Sequence, residues 1–113
     1  MLTSSCKNKG RALQKRIRDK ILETFKSLEP DDCRSIGMGQ QGCDIQLSPA
    51  AKKLFNFAVE AKNQEKISIW SCLKQAESNA KGDMVPLLVF SKNRSKTYVA
   101  LEFDQFMKII SEK

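Results

Sequence analysis

Three residues near the middle of the chain have side chains suited to metal-dependent hydrolysis. Glu60 and Lys62 lie two positions apart in the segment FAVEAKNQEK, and Asp44 precedes Glu60 by sixteen positions. If this segment is a β-strand, its side chains alternate between two faces, so Glu60 and Lys62 point the same way. Val59 and Ala61 then point to the opposite face. The alternation thus pairs an acid with a base at the end of an otherwise apolar strand.

Two carboxylates that meet at the end of a sheet suit a hard divalent cation. Mg²⁺ prefers oxygen ligands and keeps several of its waters. If the strands that carry Asp44 and Glu60 pair through the intervening turn, both carboxylates reach one point, and the backbone carbonyl of Ala61 can complete the ligand set. Lys62 would then orient or help deprotonate an attacking water and offset the charge of a phosphate.

Each of these residues also has an ordinary structural explanation. A Glu-x-Lys pair is usually a solvated strand end, and an aspartate such as Asp44 is often a turn-capping residue. The order of the features favours a site, because the loop GMGQQG is followed by Asp44, then by the Glu-x-Lys pair, then by a helix that carries Gln75. The sequence therefore predicts a metal site, with a solvated charge pair as the alternative.

The composition limits the kinds of enzyme that the chain could be. It contains no histidine, which excludes a histidine general base and the usual pairs of a nucleophile with histidine. Its four cysteines occur singly, without a CxxC motif, so we expect reduced thiols rather than a zinc site. An enzyme of this composition must work with carboxylates, lysine and a metal.

The length and the N-terminal segment predict a single intracellular domain. The 113 residues are enough for one modest core, and residues 1–8 are expected to be flexible. No apolar run approaches the roughly 20 residues that span a bilayer, and MLTSSCKNKGR lacks the apolar stretch of a secretory signal. We therefore expect a cytoplasmic protein without membrane association, encoded by a cell or by a phage.

Hydrophobic periodicity predicts the element order α-β-β-β-α-β-β-α. Helices are expected over residues 9–28, about 69–81 and in the final segment FDQFMKIISEK. The first three strands, CRSIG, CDIQL and LFNFAVEAK, are expected to form an antiparallel meander, and VPLLVFSK and KTYVALE are the last two. An α/β fold follows, with a central mixed sheet flanked by helices. The apolar side of the final helix consists of Phe103, Phe106, Met107 and Ile110.

Basic residues are concentrated in two segments. The net charge of +7 favours a polyanionic partner, and lysine and arginine dominate contacts with nucleic-acid phosphates. A solvated face is the alternative for each cluster. Trp70, the single tryptophan, is more often a core residue than a platform for base stacking. The predicted DNA-binding residues are Lys9, Arg11, Lys15 and Arg18 in the first helix and Lys92, Arg94 and Lys96 in one hairpin.

The segments GCDIQL, FAVEAKNQE and WSCLKQAE together resemble the PD-(D/E)XK nuclease superfamily, with Asp44, Glu60 and Lys62 as its aspartate, glutamate and lysine. The first helix, NKGRALQKRI, resembles the small Holliday junction resolvases of archaea and phages. The resemblance implies a restriction-endonuclease-like core, Mg²⁺ with Mn²⁺ as a substitute, and endonuclease activity on DNA, with branched DNA in recombination as the preferred substrate. Two symmetric cuts in a four-way junction would require a two-fold homodimer.

Three further positions bear on this resemblance. Gln75 matches a glutamine that relatives often place near the metal, and Cys43 replaces the usual proline before the aspartate. Gln14 lies where resolvases commonly carry a glutamate, and at about 100° per residue it falls on the apolar side of its helix. Gln14 is therefore either a buried amide with a structural partner or an active-site residue. The exchange slightly favours the alternative function, a noncatalytic nucleic-acid-binding module of the same fold. A third possibility, independent of Gln14, is an α/β adaptor that binds an acidic protein.

Overall fold

The computed structural model describes residues 4–36 and 43–112. The first helix, α1, spans Ser4–Thr24, whereas the periodicity predicts 9–28. The chain leaves the helix in a turn in which the Leu28 N–H donates to the Phe25 carbonyl (3.0 Å). Leu28 is nevertheless buried, which explains why the apolar pattern continues beyond the end of α1. The predicted glycine-rich loop, 37–42, and residues 1–3 lie outside the described residues.

The order of the elements confirms the predicted α/β fold. A short 3-10 helix, Pro30–Asp32, follows α1. The segment SPAAKK forms a helix capped by Ser48, whose hydroxyl accepts from the Ala51 N–H (3.1 Å). The remaining elements are β1 (Cys33–Ser35), β2 (Ile45–Leu47), α2 (Pro49–Leu54), β3 (Phe57–Asn63), α3 (Ile69–Asn79), β4 (Val85–Ser91), β5 (Tyr98–Ala100) and α4 (Phe103–Ser111).

The central sheet is mixed, with the strand order β3-β4-β5. β3 and β4 are parallel, in register from Phe57 opposite Val85 to Asn63 opposite Ser91, and α3 supplies the crossover that a parallel pair needs. β4 and β5 are antiparallel. The predicted antiparallel meander is wrong at its third strand, because β1 and β2 form a separate two-stranded sheet. Helix α2 lies between β2 and β3 in the chain.

Helices α1 and α3 cover opposite faces of the central sheet. Val59 belongs to the same hydrophobic cluster as Leu13 and Ile17 of α1. Ala58 and Leu88 are buried as well, but strand alternation turns them to the face on which α3 packs. Glu60 lies two positions after Ala58 and therefore points to the same face of β3. The fold thus directs the side chain of Glu60 toward α3. None of the described helices is long and apolar enough to cross a membrane.

Candidate active site

Asp44 is attached to the free edge of β3 by two hydrogen bonds. Its backbone N–H donates to the Val59 carbonyl (2.9 Å), and its carboxylate Oδ2 accepts from the Ala61 N–H (2.6 Å). The carboxylate therefore bonds the backbone of β3 instead of capping its own turn. The N–H and C=O of one strand residue point to the same edge, so the Ala61 carbonyl is directed to the edge that Asp44 occupies.

Glu60 and Lys62 share one face of β3, as the alternation predicts. Lys62 Nζ lies 3.4 Å from Glu60 Oε2, and the side chain of Glu60 is only 4% exposed, against 24% for Lys62. A solvated strand end would leave the carboxylate in water. The burial of Glu60 therefore excludes the solvated charge pair, whereas the side chain of Lys62 stays partly exposed.

Burial raises the pKa of both carboxyl groups. For Asp44, the hydrogen bond from the Ala61 N–H and the charge of Lys62 oppose the rise in pKa. For Glu60, the negative charge of Asp44 adds to the rise in pKa, and Lys62 and Asn79 oppose it. The negative charge of Asp44 thus acts on Glu60 in a poorly solvated place. Such a pair gains from a nearby divalent cation, which stabilises both charges.

The donor set fits a metal that also binds water and substrate. Within the described ranges, no group of three or more acidic, cysteine or histidine side chains could enclose a metal ion. Two carboxylates, Asp44 and Glu60, and the Ala61 carbonyl leave coordination positions open. Mg²⁺ is commonly held in this way, by one or two carboxylates together with waters and phosphate oxygens.

Asn79, at the end of α3, contacts Glu60 although it is not among the residues predicted from the sequence. Its Nδ2 donates to Glu60 Oε1 (3.2 Å), and its backbone carbonyl accepts from Cys43 Sγ (3.5 Å). Gln75 lies one turn earlier on the same helix and is exposed. The amide that contacts the Glu-x-Lys strand is therefore that of Asn79. Helical spacing alone could have suggested Asn79, because residues four positions apart lie on neighbouring parts of a helix surface.

Over residues 6–113 the chain matches the family described as phage putative PDDEXK endonuclease. The chain belongs to this family. The match confirms the predicted PD-(D/E)XK superfamily and covers Asp44, Glu60 and Asn79. No curated protein and no solved structure matched the chain.

Gln14 is buried in this PDDEXK chain, as the helical wheel predicts, with 4% of its surface exposed. It lines a cavity of about 550 Å³ on the α1 side of the molecule. This cavity adjoins Asp44, because the N–H of Ile36, one of its lining residues, donates to the Asp44 carbonyl (2.9 Å). Arg34, which the sequence analysis did not select, also faces it. The lining residues are Arg11, Gln14, Lys15, Arg18, Arg34, Ser35 and Ile36.

The basic residues of α1 differ in what they contact. Arg18 donates from Nε to the Cys33 carbonyl (3.0 Å) and from an η nitrogen to the Pro30 carbonyl (3.2 Å), so it fastens α1 to β1. Lys15 is largely exposed and lies 3.8 Å from Asp19. Arg11 is exposed and Lys9 is half-buried. Arg11 and Lys15 are therefore freer than Arg18 to meet a ligand.

The second basic segment lies at the same end of the sheet as Lys62. Lys62 is opposite Phe90 in the β3–β4 register, and the turn that follows β4 carries the second set of cations. Arg94 adopts a left-handed conformation (φ 62°) in this turn, and the Ser95 hydroxyl accepts from the Lys92 N–H (3.1 Å). The predicted residues Lys92, Arg94 and Lys96 are all exposed.

The prediction that Trp70 is a core residue is wrong. Its surface is 84% exposed, whereas Cys72 and Ala76 are the buried residues of α3. At about 100° per residue, Trp70 lies far around the helix from Cys72 and points away from the sheet. A large exposed tryptophan requires a different explanation from core packing.

Proposed function

We propose that this PDDEXK chain is a divalent-metal-dependent endodeoxyribonuclease. The observation that carries the proposal is the buried carboxylate of Glu60, paired with Lys62 on β3 beside the carboxylate that Asp44 attaches to the same strand. Burial of an acid–base pair costs desolvation energy that the mutual attraction often does not offset, so a functional role would explain why the pair is present. Membership of an endonuclease family supports hydrolysis of a phosphodiester as that role.

Asp44, Glu60 and the carbonyl of Ala61 would hold the cation, with Mg²⁺ as the ordinary metal and Mn²⁺ as a substitute. A cation bound there would supply a Lewis acid for polarising the phosphate and stabilising the leaving oxygen. Asn79 fixes the carboxylate of Glu60 by binding Oε1, so the acid is oriented before any ligand arrives. Preorganisation of this kind keeps a group within the geometry that the reaction needs.

Lys62 would position the attacking water. Its Nζ lies 3.4 Å from Glu60 Oε2 and its side chain remains partly exposed, and an ammonium group has three donors, so it can donate a further hydrogen bond to a water. The positive charge would also favour the approach of a phosphate and offset the charge that develops on it. Removal of Lys62 should therefore slow cleavage without removing a metal ligand.

Two basic surfaces support DNA as the polymer that is cut. One is the cavity beside Asp44, where Arg11, Lys15 and Arg34 are exposed, and the other is the turn after β4. Lysine and arginine side chains bind the DNA backbone without regard to sequence. The similarity of the first helix to small resolvases supports branched DNA as the preferred substrate, and paired cuts in a four-way junction would require two copies of the chain.

The alternative is a noncatalytic nucleic-acid-binding module. It is favoured by Gln14, a neutral amide that lines the basic cavity where resolvases commonly have an acid. Such a module would retain the cationic surfaces but would not cleave DNA.

Incubation of the purified protein with a supercoiled plasmid and with a synthetic four-way junction, in Mg²⁺ and in excess EDTA, tests the proposal. The nuclease predicts metal-dependent cleavage that Lys62→Ala strongly slows and that Lys26→Ala, at an exposed lysine just after α1, leaves intact. Binding of both substrates without any cleavage would identify the noncatalytic module. Failure to bind DNA would favour the adaptor. Faster cleavage of the junction than of a duplex of the same sequence supports the preference for branched DNA.

A further inference from the structure

We propose that α3 and α4 form the interface of a homodimer of this chain. The stripe that the sequence predicts on α4 is present, with spacing i, i+3, i+4 and i+7. It faces solvent instead of the core of its own chain. The four side chains remain exposed by 70% at Phe103, 44% at Phe106, 47% at Met107 and 44% at Ile110.

The exposed Trp70 belongs to the same surface. A cavity of about 730 Å³ lies between the beginning of α3 and the beginning of α4, and both Trp70 and Phe103 line it, together with Leu73 and Leu101. From Phe103 the stripe continues along α4 for two turns. We call Trp70, Phe103, Phe106, Met107 and Ile110 the α3–α4 patch.

The size of the patch matches one half of a stable dimer interface. With ~200 Å² for a fully exposed large side chain, the five members leave ~600 Å² of apolar surface in water. The largest apolar patch on an ordinary monomer is about 300–600 Å². A standard interface buries about 800 Å² per partner, of which roughly two thirds is apolar in homodimers. The patch therefore supplies the apolar area that one protomer contributes.

The charges around the patch favour a second copy over nucleic acid or a membrane. The cavity is bordered by Lys74, Glu77 and Glu102, and α4 adds Asp104 and Lys108. A protein surface that binds a polyanion or anionic lipids would carry cations without neighbouring acids. A two-fold contact requires a surface that complements itself, with residue i on residue j and the reverse. Neighbouring acids and lysines meet that requirement, because a rotated copy can bring opposite charges together.

The use of this dimer for paired cuts rests on the proposed nuclease function. The patch is separate from the acids, since Glu60 meets the Asn79 side of α3 and Trp70 points away from the sheet. Dimerisation can therefore be measured without DNA or metal, and its outcome is independent of whether the chain cleaves.

Sedimentation equilibrium of the full chain in EDTA, from about 1 to 100 μM, tests the interface. We expect a mass of twice the 12.8 kDa chain. Phe106→Glu should weaken the dimer at least tenfold, because it buries an unpaired charge at the centre of the stripe. Leu54→Glu is the matched control, since Leu54 is an equally exposed apolar residue (46%) on α2, outside the patch.

Trp70→Ser is the second variant, which removes apolar area without adding charge and should also shift the mass toward the monomer. A wild-type chain that stays monomeric throughout this range overturns the proposal. A dimer that both patch variants leave intact, while each keeps a wild-type melting curve, overturns the choice of surface. Lys62→Ala should remain fully dimeric, so loss of cleavage and loss of dimerisation are separable results.

Discussion

Asn79 donates a hydrogen bond from Nδ2 to Oε1 of Glu60 across 3.2 Å, while Lys62 occupies the other oxygen of the same carboxylate. The acid is thereby held from two elements, the end of α3 and its own strand. A buried carboxylate with both oxygens engaged keeps one orientation, because rotation would break one contact or the other. The contribution of each partner can be separated by substitution.

Lys62→Ala should reduce the rate of single-turnover cleavage by about 10²–10³-fold, because loss of a preorganised charged group typically costs that much. DNA affinity should change little. The metal-free variant should melt at a lower temperature at pH 7, since Glu60 would remain buried without its cation, and added Mg²⁺ should restore part of the loss. Cleavage at the wild-type rate would show that Lys62 does not take part in the reaction.

Asn79→Ala should weaken metal binding or cleavage by about 10–100-fold, the usual effect of removing a partner that orients a ligand. Gln75→Ala is the matched control, one turn earlier on α3, and should behave like the wild type. Metal affinity from a titration of the melting temperature, measured beside cleavage, distinguishes a positioning role from general destabilisation. A larger loss of metal affinity and cleavage in Gln75→Ala than in Asn79→Ala would instead assign the orienting role to Gln75.

The raised pKa values of Asp44 and Glu60 predict how the metal-free protein responds to pH. A carboxyl group with a raised pKa in the folded state holds its proton longer than in the unfolded chain, so it favours folding at low pH. That contribution is complete below the ordinary values of 3.8 and 4.5 and is lost as the pH rises through the raised pKa values. In EDTA at pH 7, Asp44→Asn should therefore melt above the wild type. Asp83→Asn, at an exposed acid, should not.

Affinity for DNA should depend steeply on salt. With roughly five phosphates contacted, log affinity should fall against log salt with a slope of about −4 to −5. The pair Arg11→Ala and Lys15→Ala should reduce that slope by about two, with little effect on folding. Arg18→Ala should instead lower the melting temperature, because Arg18 bonds the carbonyls of Cys33 and Pro30. A slope that the double variant leaves unchanged would assign DNA binding to another surface.

The identity of the metal should matter more for cleavage than for binding. Mg²⁺ and Mn²⁺ should support the reaction, and Ca²⁺ should support DNA binding with little cleavage, because its looser coordination positions water poorly. Each cation should raise the melting temperature of the wild type at neutral pH. Glu60→Ala should abolish that shift, since it removes a proposed ligand. Full cleavage in excess EDTA would contradict a metal-dependent mechanism.

The sequence alone determined which side chains share a face of β3. Alternation along a strand is a property of the backbone, so the pairing of Glu60 with Lys62, opposite Val59, follows from spacing. The amphipathic pattern of α1 likewise predicted that Gln14 is buried. These features depend on local geometry, and each was present in the folded chain.

Only the tertiary structure decided which partners those faces meet. Gln75 and Asn79 lie four positions apart on one helix. The way in which α3 crosses β3 and β4 places Asn79, and not Gln75, in contact with Glu60. Periodicity marked α4 as amphipathic but could not show that its apolar side faces solvent, since spacing defines a face and not what covers it. The attachment of Asp44 to β3 by two bonds depends in the same way on long-range packing, because strand pairing joins residues that are distant in the chain.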